Sequence, residues 1–188
     1  MKIIVALDTP DSFHIADQIK SYVDGFKINH LLWEQSDKIK ALDAPEHFID
    51  CKIWDTPNTV LSVTKRIIDM GATMTTLSTF NNPAVYENLA GLKDQIKLLG
   101  VTYLTSWSAP DQSILYRNTI QDMWKDSIAR TQGVLSGLIC SPLDISSIRD
   151  NNKYLKVCPG IGHNNSGQSR MVSPKRAINL GADYLVIG

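Results

Sequence analysis

The densest group of reactive side chains in this sequence is Asp50-Cys51-Lys52-Ile53-Trp54-Asp55-Thr56-Pro57-Asn58-Thr59-Val60. Residues 47–53 read as a strand, along which side chains alternate, so Asp50 and Lys52 share one face and Cys51 points to the other. If the shared face lines the interior of a closed sheet, a carboxylate and an ammonium meet at its rim. Asp55, on the loop that follows, can join the same cluster or reach across an interface. Charges of this kind are costly to bury unless they pair, and ionised residues pointing inward at a strand end are seldom there for stability. The alternative is a solvated strand end carrying a surface ion pair.

The elements that must position these groups follow a regular period. Short apolar runs at residues 3–7, 25–28, 47–53, 72–78, 96–105, 133–140, 154–158 and 182–187 alternate with helical patterns, at the spacing of one strand-helix unit. One helix opens near Pro10-Asp11. Another has Pro57 in its first turn, an apolar stripe of Val60, Leu61, Val63, Ile67 and Ile68, and Gly71 as its stop. Ser173-Pro174 opens a final helix ending at Gly181. This alternation leaves two architectures, a closed eight-stranded barrel and an open doubly wound sheet. The strand count favours the barrel, as does the lack of a G-x-G-x-x-G after the first strand. The expected fold is therefore an α/β (β/α)8 barrel, one domain over residues 1–188. Because the sequence stops at Gly188, right after the last strand, the expected barrel lacks its final helix.

With 188 residues, 43% hydrophobic and 20% charged, the composition is that of a soluble globular domain. Nineteen basic and nineteen acidic side chains cancel, so no global field draws nucleic acid or anionic lipid, and an anionic ligand needs a local site. No apolar run approaches a membrane span and no secretory signal opens the chain, which points to the cytoplasm. Cys51, Cys140 and Cys158 are too scattered for a disulfide framework or a zinc site and read as reduced and mostly buried. His14, His30, His47 and His163 lack metal-ligand spacing. Trp33, Trp54, Trp107 and Trp124 are too dispersed to stack nucleobases, and Trp54 is the one expected near a subunit contact. Residues 160–167, rich in glycine, asparagine and serine, read either as a loop able to close over a phosphate or as an ordinary connection.

Asp-x-Lys-x-x-Asp followed by Thr-Pro-Asn-Thr-Val resembles the signature of the orotidine 5'-monophosphate decarboxylase family, β/α barrels of pyrimidine biosynthesis. Other segments agree in order: Ala6-Leu7-Asp8, Phe26-Lys27, Leu104-Thr105-Ser106, Gly137 to Ser141, Pro159-Gly160-Ile161, Gln168 with Arg170, and Gly181 to Gly188. The resemblance implies cofactor-free and metal-free loss of carbon dioxide from orotidine 5'-monophosphate to give UMP. It makes Lys27, Asp50, Lys52 and Asp55 the catalytic network, with Asp55 and Thr59 supplied by the other subunit of a homodimer. Asp8 and Lys27 would face ribose hydroxyls, Thr59 the ribose in the neighbouring subunit's site, and Thr105 and Ser106 the pyrimidine edge. Pro159 would line the pocket, while Gln168 and the backbone near Gly188 would hold the phosphate. Where the family often carries an arginine after Pro-Gly-Ile, this sequence has Gly162, and the arginine that follows the last strand's glycine lies beyond Gly188. His163, Arg170 or Lys175 could substitute.

The chemistry that such a reaction demands can be stated from first principles. Departure of carbon dioxide leaves an electron pair on a ring carbon with no adjacent sink, so fixed charge must be aimed at the developing carbanion. Lys52 can stabilise that carbanion and then protonate it. Asp50 beside the departing carboxylate repels it in the ground state, by roughly 4 kcal/mol for charges about 4 Å apart at an effective dielectric near 20. Two other readings remain: a magnesium-dependent sugar-phosphate decarboxylase or aldolase on the same barrel, and a truncated nucleotide-binding barrel that turns over poorly.

Overall fold

A computed structural model describes residues 1–107, 110, 120–131, 133–148, 153–162 and 170–188. Eight parallel strands close into a barrel in sequence order: β1 (Lys2–Leu7), β2 (Gly25–Asn29), β3 (Glu46–Ile53), β4 (Met74–Ser78), β5 (Lys97–Val101), β6 (Gly137–Ile139), β7 (Leu155–Ile161) and β8 (Tyr184–Ile187). Closure is completed by β8 pairing with β1, Lys2 opposite Tyr184 and Val5 opposite Ile187. Among the described residues no helix is long and apolar enough to cross a membrane.

The helices start where local chemistry places them. Helix Pro57–Asp69 opens on a proline whose missing N–H is not needed in a first turn, and Gly71 ends it with φ +81°. Its residues Val60 and Ile67 are fully buried, and Leu61, Val63 and Ile68 pack beside them. Helix Pro174–Asn179 is capped by the Ser173 side chain, which accepts from the Arg176 N–H. β4 and β8 each begin two residues later than expected, at Met74 and Tyr184, and three further strand expectations need larger correction. β5 ends at Val101, because residues 102–107 leave the sheet to form the rim. β6 spans Gly137–Ile139 alone, since Gly133 adopts φ +76° and Val134 and Leu135 are buried in the connection. β7 runs three residues further than expected, to Ile161.

Strand alternation divides the side chains between two cores. The outward face, with Phe26, Ile49, Leu98, Leu138 and Leu185, packs against the helices. The inward face fills the barrel in layers. At the N-terminal end of the strands, Glu46 is 2% exposed and accepts from Lys2 (2.7 Å), Lys97 (2.9 Å), Thr73 (2.8 Å) and the Tyr184 hydroxyl (2.9 Å). Burial by itself raises the Glu46 pKa, but these hydrogen bonds outweigh it and bring the carboxyl down to about 2. Above this plug lies an apolar layer of Ile4, Phe48, Met74, Leu99 and Val157. Among the described residues the barrel interior is thus filled from below, and its charged positions lie toward the C-terminal end of the strands.

Candidate active site

Above the apolar layer the inward positions become charged. Asp8 follows β1, Lys27 lies on β2, and Asp50 and Lys52 lie on β3. Lys52 Nζ is 2.7 Å from Asp50 Oδ2, Lys27 Nζ is 3.9 Å from the same oxygen, and Lys27 Nζ is 3.6 Å from Asp8 Oδ1. Lys27 and Asp50 are each 12% exposed, whereas Lys52 and Asp8 are open at 42% and 57%. The result is a row of alternating charge, Asp8, Lys27, Asp50, Lys52, running from the shelter of the barrel to its mouth. Each buried charge has an opposite neighbour, which offsets the cost of desolvation. Asn29 adds a hydrogen bond to Asp8 (3.2 Å).

The backbone that sets this row is irregular. Between Ile49, paired with Thr75, and Ile53, paired with Leu77, three residues of β3 stand opposite the single residue Thr76 of β4. This is a β-bulge, and Lys52 within it adopts φ +48°, a left-handed conformation that a side chain with Cβ rarely takes. The Thr76 hydroxyl holds both ends of the bulge: it accepts from the Lys52 N–H (2.8 Å) and donates to Asp50 Oδ1 (2.6 Å). Simple alternation gives the shared direction of Asp50 and Lys52 but neither the bulge nor the role of Thr76. Cys51 turns toward the helix-side core, where burial first, and the Asp50 charge second, push its thiol up to about 12.

Asp8, Lys27, Asp50 and Lys52 line a cavity of ≈ 480 Å³, together with Thr105 and Ser106 after β5, Pro159 and Gly160 on β7, and Gly188 after β8. Leu104, quoted above only as part of the Leu104-Thr105-Ser106 segment, also lines it, as do Tyr103 and Met171, which the sequence does not single out. Asp55 and Thr59 do not line it. Asp55 is held outside the cavity, its N–H donating to Asn81 in the loop after β4 (3.2 Å) and its carboxylate accepting from the Thr56 N–H (2.6 Å), which keeps the carboxyl below its usual range. The hydroxyls of Thr59 and Thr56 lie 3.0 Å apart. Gln168 and His163 lie outside the described residues. A second, mostly apolar hollow of ≈ 440 Å³ adjoins Lys52 and is walled by Trp54, Phe80, Leu104 and Trp107, with Trp54 73% exposed.

The family model for the Orotidine 5'-phosphate decarboxylase / HUMPS family matches residues 1–188. The chain belongs to this family. Among similar members, the orotidine 5'-phosphate decarboxylase of Dictyoglomus turgidum is 32% identical over 218 residues, covering 99% of this chain and 86% of the relative. That of Carboxydothermus hydrogenoformans is 28% identical over 210 residues, covering 100% and 87%. Among solved structures, orotidine 5'-phosphate decarboxylase from Lactobacillus acidophilus superposes with a TM-score of 0.73 at 27% identity, covering 100% of this chain and 89% of that one. An uncharacterized conserved protein from Geobacillus kaustophilus superposes with a TM-score of 0.78 at 22% identity, covering 99% and 90%, and carries the barrel fold alone. Family membership and the closed barrel agree with the reading of the Asp50 to Val60 segment.

Proposed function

We propose that this protein decarboxylates orotidine 5'-monophosphate to UMP in pyrimidine biosynthesis, in the cytoplasm and as a homodimer. The observation that carries the reading is the 2.7 Å pairing of Lys52 with Asp50 at the mouth of a cavity walled by Asp8, Lys27, Thr105 and Ser106, in a chain of this family. With the pyrimidine ring over Lys52 and its carboxylate beside Asp50, the two like charges repel until carbon dioxide departs. The electron pair of the broken carbon–carbon bond stays on the ring carbon, where the Lys52 ammonium stabilises it and then delivers the proton. Lys27 stays paired with the two aspartates and faces the ribose. Thr105 and Ser106 meet the pyrimidine edge, Pro159 packs beside it, and Gly188 with Gln168 receives the phosphate.

The exposed Trp54 and the apolar hollow beside Lys52 support a second copy seated there, which would bring Asp55 and Thr59 into its neighbour's site. Both carboxylates in the cavity, Asp8 and Asp50, already face ammonium groups within 3.9 Å, so a magnesium ion would have to displace a lysine. That favours the cofactor-free reading over the magnesium-dependent one.

The deciding experiment follows orotidine 5'-monophosphate conversion and carbon dioxide release by the purified chain, with and without a chelator, and by Lys52→Ala. Loss of at least about 1,000-fold in kcat/KM with an unchanged thermal midpoint is expected for the variant. Turnover within tenfold of the unaltered chain would remove Lys52 from this role, and abolition by the chelator would restore the metal-dependent reading.

A further inference from the structure

Beside the cavity lies a second charged group, assembled from three loops and unused by the chemistry just described. Tyr103 follows β5, Asp144 sits in the short turn Pro142–Ser147 after β6, and Arg170 comes just before Val172, which bridges back to Ile161 at the end of β7. Arg170 grips Asp144 with two nitrogens, Nη1 to Oδ2 at 3.0 Å and Nη2 to Oδ1 at 2.5 Å, and the Tyr103 hydroxyl donates to Oδ2 as well. The group is dry: the side chains of Asp144 and Arg170 are 5% and 19% exposed, and Tyr103 is 3% exposed with its ring 6.1 Å from that of the fully buried Trp124.

A buried ion pair of this kind seldom improves stability over an apolar replacement, but it does fix one geometry, because breaking it strands a desolvated charge. What it fixes here is the cavity. Tyr103 lines the pocket and leads directly into Leu104, Thr105 and Ser106; Met171, next to Arg170, lines a second wall with Gly160 and Ile161. That second wall is strapped to β7 by Gly162 N–H to the Val172 carbonyl (3.2 Å) and Val172 N–H to the Gly160 carbonyl (3.1 Å). The guanidinium, which the sequence offers as a substitute phosphate ligand, has its charge met by Asp144.

We infer that Tyr103, Asp144 and Arg170 are positioning residues, a clamp that holds the Thr105–Ser106 wall and the Met171 wall at the separation the nucleotide requires, and that Arg170 acts through this clamp and not as a ligand of the phosphate. The inference rests on the proposed decarboxylation for the identity of the nucleotide.

The test uses Asp144→Asn, Arg170→Gln, the double variant, and Tyr103→Phe, which deletes a hydroxyl while keeping the packing on Trp124. Orotidine 5'-monophosphate turnover by the unaltered chain is measured first. The clamp predicts that each single variant weakens UMP and uridine binding alike, by about tenfold or more for the charged pair, and that the double variant is no worse than the worse single. Amide hydrogen exchange in the ligand-free protein should quicken at residues 104–106 and 171–172 and stay unchanged in β1 to β4. A phosphate-ligand role gives a different pattern, in which Arg170→Gln weakens UMP but not uridine and Asp144→Asn leaves UMP binding intact or tighter; that pattern overturns the clamp. So does faster exchange throughout the barrel, or unaltered exchange at both walls. An inactive unaltered chain would refute the decarboxylase reading, while the exchange comparison would still decide the clamp.

Discussion

Substituting Glu46 by glutamine removes the charge at the floor of the barrel while keeping the side chain's size. The carboxylate is 2% exposed and accepts from two lysines, a threonine and a tyrosine, and its pKa falls from the ordinary range of a glutamate to about 2. A displacement of that size corresponds to about 3 kcal/mol of folding stability, and because Lys2 and Lys97 keep contact with water about 2–3 kcal/mol is the expected loss. That is a large share of the roughly 5–15 kcal/mol that holds a domain folded. The sign follows from proton uptake. The unfolded chain binds a proton at Glu46 before the folded one does, so the contribution is complete above the unfolded pKa and drains away as pH falls toward about 2. Urea denaturation of the two proteins at intervals from about pH 7 to about pH 2.5 reads this directly, because comparing them cancels the other carboxylates. Glu46→Gln should be weaker at neutral pH and converge on the unaltered protein in acid. Equal stability at neutral pH, or a deficit that persists undiminished in acid, would refute the assignment of Glu46 as an ionised keystone.

Mixing Lys52→Ala with Asp55→Asn, each inactive alone, should regain roughly a quarter of the site activity after dissociation and reassociation, since one site in each hybrid dimer draws both intact residues from different copies; failure to regain any would place Asp55 outside the neighbour's site. Cys51, with its thiol pushed up to about 12, should resist alkylation at about pH 8 in the folded protein and react at the rate of a free thiol once denatured, as followed by mass spectrometry.

How much of this was legible in the sequence depended on the range of the interaction. Pro57 and Gly71 mark a helix because their effects are local to one turn, and the apolar stripe between them needs only the helical period. Asp50 and Lys52 could be placed on one face from the pleat alone. The bulge between them could not, because it exists only as a mismatch of register with β4, and Thr76 reads as an ordinary strand threonine until it is seen bridging the mismatch. Glu46 fell just outside the expected strand because a carboxylate at a strand start looks solvated; the donors that bury it come from β1, β5, β8 and the residue before β4. The same holds for Tyr103, Asp144 and Arg170, whose partners are 41 and 26 positions apart along the chain. The end of β5 and the start of β6 differ from expectation where apolar residues extend beyond the ladder, since burial in a connection and burial in a strand look alike in a sequence.

The left-handed twist at Lys52 has an evolutionary corollary. A non-glycine residue in that conformation costs about 1 kcal/mol or more, a penalty that a glycine there would relieve. Glycine at position 52 would therefore ease the backbone while deleting the amine, so one substitution would bring sturdiness and the loss of the site's chemistry together.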